Sequence, residues 1–426
     1  MQRQDKIYQQ FVDILKEELV PAMGCTEPIA IAYAGAVARE NLGLMPERVD
    51  VYVSGNIIKN VKSVVVPHTG GMRGIEAAVC AGIRVGDADG MLEVISKVKE
   101  EEIPEIKKYM QSIPVNVQYS ESPYIFDIDV RVFAGEFSAR VRIVDFHTNI
   151  VLIEKNNEVL MKKELSGQKV DTLTDRSVLS VERIVEFADI VKIEDVQDIL
   201  DRQISYNMTI AEYGLRHNYG ANIGKVLLNT YGHDVKIRAK AKAASGSDAR
   251  MNGCELPVVI NSGSGNQGIT ASVPVIEFAK ELDVTMDRVY RALVVSNLCT
   301  IHLKTGVGRL SAYCGAISAG CGSGAGIAYL KGGKFKVIAH TLVNSLAIVS
   351  GIICDGAKAS CAAKIAMAVD AGILGYEMYM QGQQFYGGDG IVTRGVENTI
   401  QNVGRLAKDG MCETDKEIIR IMVGDK

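Results

Sequence analysis

The hydrophobic period of the chain changes near residue 170, and this change limits the possible fold more than any other feature. Between residues 114 and 163 apolar and polar residues alternate, as in IFDIDVRVFA and FSARVRIVDF. A period of two predicts an antiparallel sheet, and the Asn156-Asn157 pair predicts a hairpin turn. From about Thr172 onward the strand pattern fades, and helices rich in Ala, Gly and Ser replace it.

These patterns predict an α+β fold, in which a smaller mixed domain containing an antiparallel sheet joins a large helical domain. Residues 1–45 should form two helices that pack near the helical domain. The α+β domain is expected to cover residues 46–168, and the helical catalytic domain residues 169–426. Within the α+β domain, the patterns at 71–85 and 91–113 each predict a helix.

Charge and hydropathy restrict the possible partners. The 426 residues carry a formal net charge of −4 without long blocks of one sign, so binding to nucleic acid or to an anionic membrane surface is not expected. The N-terminus has no signal-peptide pattern, and the most apolar stretch, 341–354, is too short to cross a membrane. We therefore predict a cytoplasmic protein with a small-molecule substrate, and a homodimer as the default assembly.

The nine cysteines are odd in number and scattered, which predicts reduced thiols rather than a disulfide framework. Four have no partner at a useful spacing and predict buried packing: Cys80, Cys254, Cys299 and Cys412. Four others lie in glycine-rich segments, with Cys314 and Cys321 in SAYCGAISAGCGSGAG and Cys354 and Cys361 in IICDGAKASCAAKIAM. The last of the nine, Cys25, precedes an Ala-rich helix pattern.

The segment around Cys354 and Cys361 predicts a turn that carries two sulfurs. Cys354 is expected to end an apolar helix, and Cys361 follows Ser360, a candidate N-cap of the next helix. A helix start favours the thiolate form, at Cys25 as at Cys361. The spacing matches neither a compact ferredoxin motif nor paired zinc knuckles, so the pattern alone leaves both metal ligation and buried packing open.

Four segments together resemble the L-cysteine desulfidase family, which is related to the catalytic chain of iron-sulfur L-serine dehydratases: AMGCTEPIAIA, NSGSGNQGI, CGAISAG and ICDGAKASCAAK. The resemblance covers essentially the whole chain. It implies a [4Fe-4S] cluster and non-redox cleavage of L-cysteine to pyruvate, ammonia and sulfide. Carried over by motif, the cluster ligands would be Cys314, Cys354 and Cys361, and Cys25 would accept the proton. Cys321 is the alternative third ligand in place of Cys314.

Two glycine-rich loops offer groups for the carboxylate and ammonium of an amino-acid substrate. The loop VPHTGGMRG contributes the candidate binding residues His68, Thr69 and Gly70, just before a predicted helix. The loop NSGSGNQGITASVP contributes Asn261, Ser262, Asn266 and Gln267, of which Asn266 is the candidate binding residue. For each loop the alternative is an ordinary structural turn.

Three other functions fit parts of the sequence. An iron-sulfur L-serine dehydratase would use the same residues. A pyridoxal-phosphate lyase would use GSGNQG to bind phosphate, but the chain lacks a convincing Schiff-base lysine context and an alternating strand-helix pattern. A non-enzymatic iron-sulfur sensor leaves the two substrate-type loops unexplained.

Overall fold

The fold combines a six-stranded sheet with a larger helical part, which confirms the predicted α+β class. The computed structural model describes residues 1–24, 26–164, 173–308 and 311–424. Within these ranges, no helix is long and apolar enough to cross a membrane.

The strands form one large sheet and one small ribbon. They are β1 (Pro21–Met23), β2 (Arg48–Val53), β3 (Val115–Tyr119), β4 (Asp127–Ala134), β5 (Phe137–Val144), β6 (Ile150–Lys155), β7 (Glu158–Lys162) and β8 (Pro257–Val259). The large sheet has the order β3-β2-β4-β5-β6-β7, and β1 pairs with β8 separately. All neighbours are antiparallel except β2 and β3, so the sheet is mixed.

The hairpin turn between β6 and β7 is where the sequence predicts it. Asn156 and Asn157 have φ values of 50° and 67°. Positive φ at both central residues is the signature of a type I′ turn, whose twist matches that of the flanking strands. Lys155 and Glu158 accordingly face each other across the ladder.

The helices before the sheet are α1 (Lys6–Glu18), α2 (Thr26–Leu42), α3 (Gly55–Val61), α4 (Gly74–Val85) and α5 (Ile103–Ser112). Those after it are α6 (Val181–Ile190), α7 (Gln197–Arg216), α8 (Ile223–Tyr231), α9 (Val235–Met251), α10 (Gly265–Glu281), α11 (Met286–Val307), α12 (Gly315–Leu330), α13 (Phe335–Val349), α14 (Cys361–Met380), α15 (Val396–Arg405) and α16 (Cys412–Val423).

The prediction of one helix over 91–113 is wrong. Only α5 is α-helical there, and two short 3-10 turns precede it. Met91 has a φ of 47°, which interrupts any helix at its start. Pro104 lies in the first turn of α5, where its missing N–H costs no hydrogen bond.

The two faces of the large sheet differ in chemistry. One face carries fully buried apolar side chains such as Val51, Val130 and Val141, which pack under α2 and α4. The other face carries charged side chains, among them Asp127 and Asp129. This alternation follows from the period of two along each strand.

The helical part is built around α12, which contacts α10, α11, α13 and α14. Its glycines allow this crowding. A Cβ added at Gly320 would lie 2.4 Å from the backbone of Ala368 in α14, and one at Gly322 would lie 2.2 Å from Oγ1 of Thr300 in α11. The small residues that predict close helix packing are therefore the ones at these contacts.

The two N-terminal helices pack in different places. In α1, Phe11, Ile14 and Leu15 are buried in the helical core, whereas α2 is part of the sheet core. The proposed domain boundaries at residues 45 and 168 stay a prediction, and residue 168 lies outside the described ranges.

Candidate active site

Three of the cysteines lie on two adjacent segments. Cys314 is the N-cap residue of α12, Cys361 is the first residue of α14, and Cys354 lies in the connection between α13 and α14. An antiparallel bridge between Tyr313 and Ile353 joins the two segments next to the first two cysteines. The structure thus brings together the three residues that the resemblance implies as cluster ligands.

One detail of the predicted turn is wrong, and another is confirmed in position only. Cys354 does not end a helix, because α13 already ends at Val349 and Gly351 follows, a residue type that commonly stops helices. Ser360 occupies the N-cap position before Cys361, but its side chain makes no capping hydrogen bond.

The side chains of Cys314 and Cys354 interact directly. The Cys314 thiol donates a hydrogen bond to Cys354, which lowers the pKa of Cys354. The positive charges of Lys59 and Lys304 lower the pKa of Cys354 further, against the effect of burial. The same hydrogen bond, together with burial, raises the pKa of Cys314.

The third sulfur is held by a tight loop. Burial raises the pKa of Cys361, and its Sγ lies 3.5 Å from the carbonyl oxygen of Gly356. Asp355 forms ion pairs with Lys358 and Lys364. Although burial opposes the shift, these two lysines lower the pKa of Asp355 to about 2. The ion pairs link Asp355 to the loop and to the first turn of α14.

Two buried lysines supply positive charge to this site. Lys59, on α3, forms an ion pair with Asp415. Lys304, on α11, is buried, and burial lowers its pKa to about 8. A Cβ at Gly356 would lie only 1.8 Å from the carbonyl oxygen of Lys59, so a glycine is required for the loop to approach α3. The centre therefore lies where the sheet part meets the helical part.

The donor set fits an iron-sulfur cluster. Thiolates are the usual ligands of such clusters, and the nearby ammonium groups offset the negative charge of the sulfurs. In the described ranges, no group of three or more His, Cys, Asp or Glu side chains is arranged around a single ion. A single ion needs all its ligands at one point, whereas a cluster offers a separate iron to each thiolate.

The loop before α10 reaches the same place. Ser264 caps α10, and its Oγ accepts the backbone N–H of Gln267 at 3.5 Å. A Cβ at Gly315 would lie 2.7 Å from the side-chain amide of Gln267, so this amide lies beside the residue that follows Cys314. Oδ1 of Asn266, a predicted substrate-binding residue, accepts a hydrogen bond from Nη1 of Arg250 at 3.4 Å.

The other predicted loop is held by its own contacts. His68 has a φ of 56°, and its backbone N–H donates to Oε1 of Glu255 at 3.2 Å. The Thr69 hydroxyl donates to the carbonyl of Val66 at 2.7 Å and is buried. Gly70 has a φ of 65°, which favours glycine. These hydrogen bonds run to Glu255 and Val66 rather than to the three cysteines.

The predicted proton acceptor Cys25 lies outside the described residues. Gly24 has a φ of 58°, and a Cβ there would lie 2.5 Å from Cγ of Pro67, next to His68. β1 ends just before Gly24 and pairs with β8, which follows Glu255. Gly24 therefore lies against the loop that contains His68, and β1 pairs with β8, which lies just before the loop that contains Asn266.

The remaining described cysteines are separate from this centre. Cys321 lies within α12 and is fully buried, which raises its pKa. Cys80, Cys254 and Cys299 are also buried, as predicted, whereas Cys412 is exposed because it begins the surface helix α16.

Sequence reasoning missed three cationic residues of the site. Lys59 comes from the sheet part, and no local pattern connects it with a cysteine about 300 residues away. Lys304 lies in the last turn of the long helix α11, and no sequence motif surrounds it. Arg250 had a usable signal, because it is a charged residue at the end of a stretch of small residues, AASGSDARM, that leads into the Asn266 loop.

Comparison with known proteins gives a consistent result. The family model described as serine dehydratase alpha chain matches residues 89–420. A UPF0597 protein of Desulfitobacterium hafniense is 63% identical over 423 residues, which cover 99% of this chain and 98% of that protein. A UPF0597 protein of Lachnoclostridium phytofermentans is 54% identical over 417 residues, with 98% and 100% coverage. One of Treponema denticola is 45% identical over 424 residues, with 98% coverage of both chains.

The fold and the site define an α+β protein with a thiol-rich centre between its sheet and its helical bundle. The chain belongs to the serine dehydratase alpha chain family, because the family model covers residues 89–420. This membership points to a lyase-like enzyme.

Proposed function

We propose that the chain is a [4Fe-4S]-dependent L-cysteine desulfidase, which eliminates sulfide from L-cysteine and gives pyruvate, ammonia and hydrogen sulfide. The observation that carries this proposal is the convergence of Cys314, Cys354 and Cys361 beside the buried cations Lys59 and Lys304. The three thiolates would hold the cluster. When bound, it would supply a Lewis-acidic iron, free of protein ligands, for the departing sulfur.

In this proposal the residues of the chain divide the other tasks. Cys25, the residue before α2 in the sequence, takes the Cα proton as a general base. The electrons of that bond form the Cα–Cβ double bond, while the Cβ–S bond breaks and the sulfur leaves with its electron pair. The resulting aminoacrylate takes up water and yields pyruvate and ammonia. His68, Thr69, Gly70 and Asn266 stay candidates for contacts to the substrate.

The burial of the centre supports this chemistry. Cys314 is 8% exposed and Lys304 is 5% exposed. Charge interactions are stronger in such an environment than in water, so the lysines favour thiolates and an anionic leaving group. We also propose that the enzyme works in the cytoplasm, without nucleic-acid or membrane partners, and that it forms a homodimer.

An L-serine dehydratase is the second candidate, and the description of the matching family model favours it. Both reactions remove the α-proton and a leaving group from Cβ, and they differ in whether sulfur or oxygen departs. Because sulfur is the softer donor, a thiolate-ligated iron is expected to bind it well.

Anaerobic kinetics distinguish the two candidates. Protein purified without oxygen is supplied with L-cysteine or L-serine, and pyruvate and sulfide are measured in the same samples. A desulfidase yields pyruvate and sulfide in equal amounts from L-cysteine, with a kcat/KM above that for L-serine. A higher kcat/KM with L-serine would assign the dehydratase instead. Product formation from neither amino acid would reject both.

A further inference from the structure

A buried arginine next to the cysteine centre has no counter-ion in the described part of the chain. Arg250 lies in the last turn of α9 and is 6% exposed. Its Nε makes no hydrogen bond to any described residue, and the hydrogen bond from its Nη1 to Oδ1 of Asn266 is long at 3.4 Å. Burying a guanidinium without an anion is costly, so this position favours an anionic ligand.

A second buried polar group lies next to Asn266, in the first turn of α10. Gln267 is 5% exposed, and its Oε1 has no partner among the described residues. Glycines border both side chains. A Cβ at Gly265 would lie 2.3 Å from Nε of Arg250, and one at Gly315 would lie 2.7 Å from the Gln267 amide. Glycine at these two positions therefore lets Arg250 and Gln267 pack directly against the main chain, where any larger residue would clash with them.

We propose that Arg250 binds the carboxylate of the amino-acid substrate and that Oε1 of Gln267 accepts a hydrogen bond from its ammonium group. This inference rests on the proposed function and identifies its ligand class as a small L-α-amino acid. A guanidinium pairs with a carboxylate in a bidentate manner, and an amide oxygen accepts from an ammonium. The side chain of such a ligand extends toward Gly315 and Cys314.

A purely structural role explains less of this geometry. A cation in the last turn of a helix interacts favourably with the helix dipole, and Arg250 is in that position in α9. The dipole does not require burial, however, because an exposed arginine gains the same interaction. It also does not explain why Nε of Arg250 and Oε1 of Gln267, on different helices, both lack partners.

Two simple probes isolate the carboxylate contact. L-2-Aminobutyrate has the shape of L-cysteine with a methyl group in place of the thiol, and propylamine is the same molecule without the carboxylate. Neither can eliminate sulfide, so binding can be followed by ligand-observed NMR without turnover. We expect the wild type to bind L-2-aminobutyrate roughly 10- to 100-fold more tightly than propylamine, the range for hydrogen bonds between charged groups.

The variants test each contact separately. Arg250→Gln should reduce the preference for L-2-aminobutyrate to about onefold, and Arg250→Lys should leave an intermediate preference. Gln267→Leu should weaken both probes by the same factor, because both carry the ammonium group. The control is Arg131→Gln in β4, which also has an unpartnered Nε but is paired with Asp129, and it should bind as the wild type does.

The comparison stays valid if a variant is partly unfolded, because both dissociation constants are measured on the same sample. An unchanged preference in Arg250→Gln and Arg250→Lys would overturn the proposal. That result together with normal sulfide release would leave the desulfidase function intact. Loss of the preference in Arg250→Gln, in a protein whose wild type releases no sulfide, would support the amino-acid site and reject the desulfidase.

Discussion

The buried aspartates of the sheet and the buried arginine at the end of α9 differ in how they are paired. In the sheet, Arg142 forms a bidentate pair with buried Asp127, with hydrogen bonds of 2.7 and 2.9 Å. Arg140 pairs with buried Asp129 in the same way. In the bundle, Arg250 has no carboxylate partner among the described residues, although it is as buried as those aspartates.

This difference indicates where a ligand is expected. A buried charge that is paired within the chain contributes to the structure, and its removal leaves the partner unsatisfied. A buried charge without a partner lowers the stability of the fold, and a ligand of opposite charge offsets this cost when it binds. The sheet therefore belongs to the scaffold, while the cysteine centre and the adjoining end of α9 belong to the functional site.

The largest expected effect comes from removing one thiolate of the centre. Cys354→Ser and Cys361→Ser should each lose the cluster and all activity, because the remaining thiolates cannot complete a three-cysteine site. Cys314→Ser should behave in the same way. Iron and acid-labile sulfide measured after anaerobic purification provide the test.

Cys321→Ser is the matched control for Cys314→Ser, because both residues lie in the same glycine-rich segment. It should keep its iron, since Cys321 is buried within α12. Retention of iron by Cys314→Ser and its loss from Cys321→Ser would make Cys321 the third ligand.

The next largest effect concerns the proton acceptor. Cys25→Ala should keep its iron, while sulfide production from L-cysteine falls by about 10²–10⁴-fold, the range for loss of a general base. Exchange of the α-hydrogen with solvent deuterium, where the wild type shows it, should also stop. The control Cys412→Ala changes an exposed thiol and should leave turnover unchanged. Loss of iron from Cys25→Ala would identify Cys25 as a ligand instead.

Breaking an ion pair of the sheet should affect stability and not chemistry. Asp127→Ala leaves Arg142 partly buried without its carboxylate, so the free energy of unfolding should fall by about 3 kcal/mol. Urea denaturation provides the measurement. Iron content per folded chain and KM should stay at the wild-type values, and a change in either would contradict the separation between scaffold and site.

The smallest effect is the removal of an unpaired carboxylate from the bundle. Asp248, on α9, is 1% exposed, and burial raises its pKa to about 6. Its Oδ2 accepts the backbone N–H of Ile223 at 2.7 Å, whereas its Oδ1 has no partner among the described residues. An asparagine side chain at position 248 can keep the hydrogen bond from the backbone N–H of Ile223, and its amide NH₂ group takes the place of Oδ1 of Asp248.

The sign of the pH effect follows from this raised pKa. Between about pH 4 and pH 6 the folded state binds a proton that the unfolded state releases, so ionisation of Asp248 lowers stability as the pH rises. Relative to the wild type, Asp248→Asn should therefore gain about 2 kcal/mol of unfolding free energy between pH 4 and pH 7. Asp198→Asn, an exposed control on α7, should show no such gain.

Much of the fold could be predicted because its signals are local. The period of two gave the strands of the sheet, and Asn156-Asn157 gave the β6–β7 turn. The prediction failed at 91–113, where the helical period was correct but Met91 adopts positive φ. A single-residue backbone change of this kind leaves no trace in hydrophobic periodicity. The parallel pairing of β2 with β3 was also missed, because it joins segments far apart in the chain.

The site was predictable only where it depends on short motifs. Cys354 and Cys361 belong to one turn, so their proximity follows from the chain itself. The approach of Lys59 to Gly356 depends on the packing of α3 against the bundle, which no sequence spacing encodes. Arg250 was missed for a related reason, because its burial depends on helices that the sequence does not place.

The central claim is that the three cysteines hold an iron-sulfur cluster, and the iron content of the wild-type protein tests it most directly. Protein purified without oxygen should be brown and contain about four irons and four acid-labile sulfides per chain, the composition of a [4Fe-4S] cluster. Iron chelation should remove both the colour and the activity. A chromophore that survives chelation and disappears on borohydride reduction would establish pyridoxal phosphate and contradict the account.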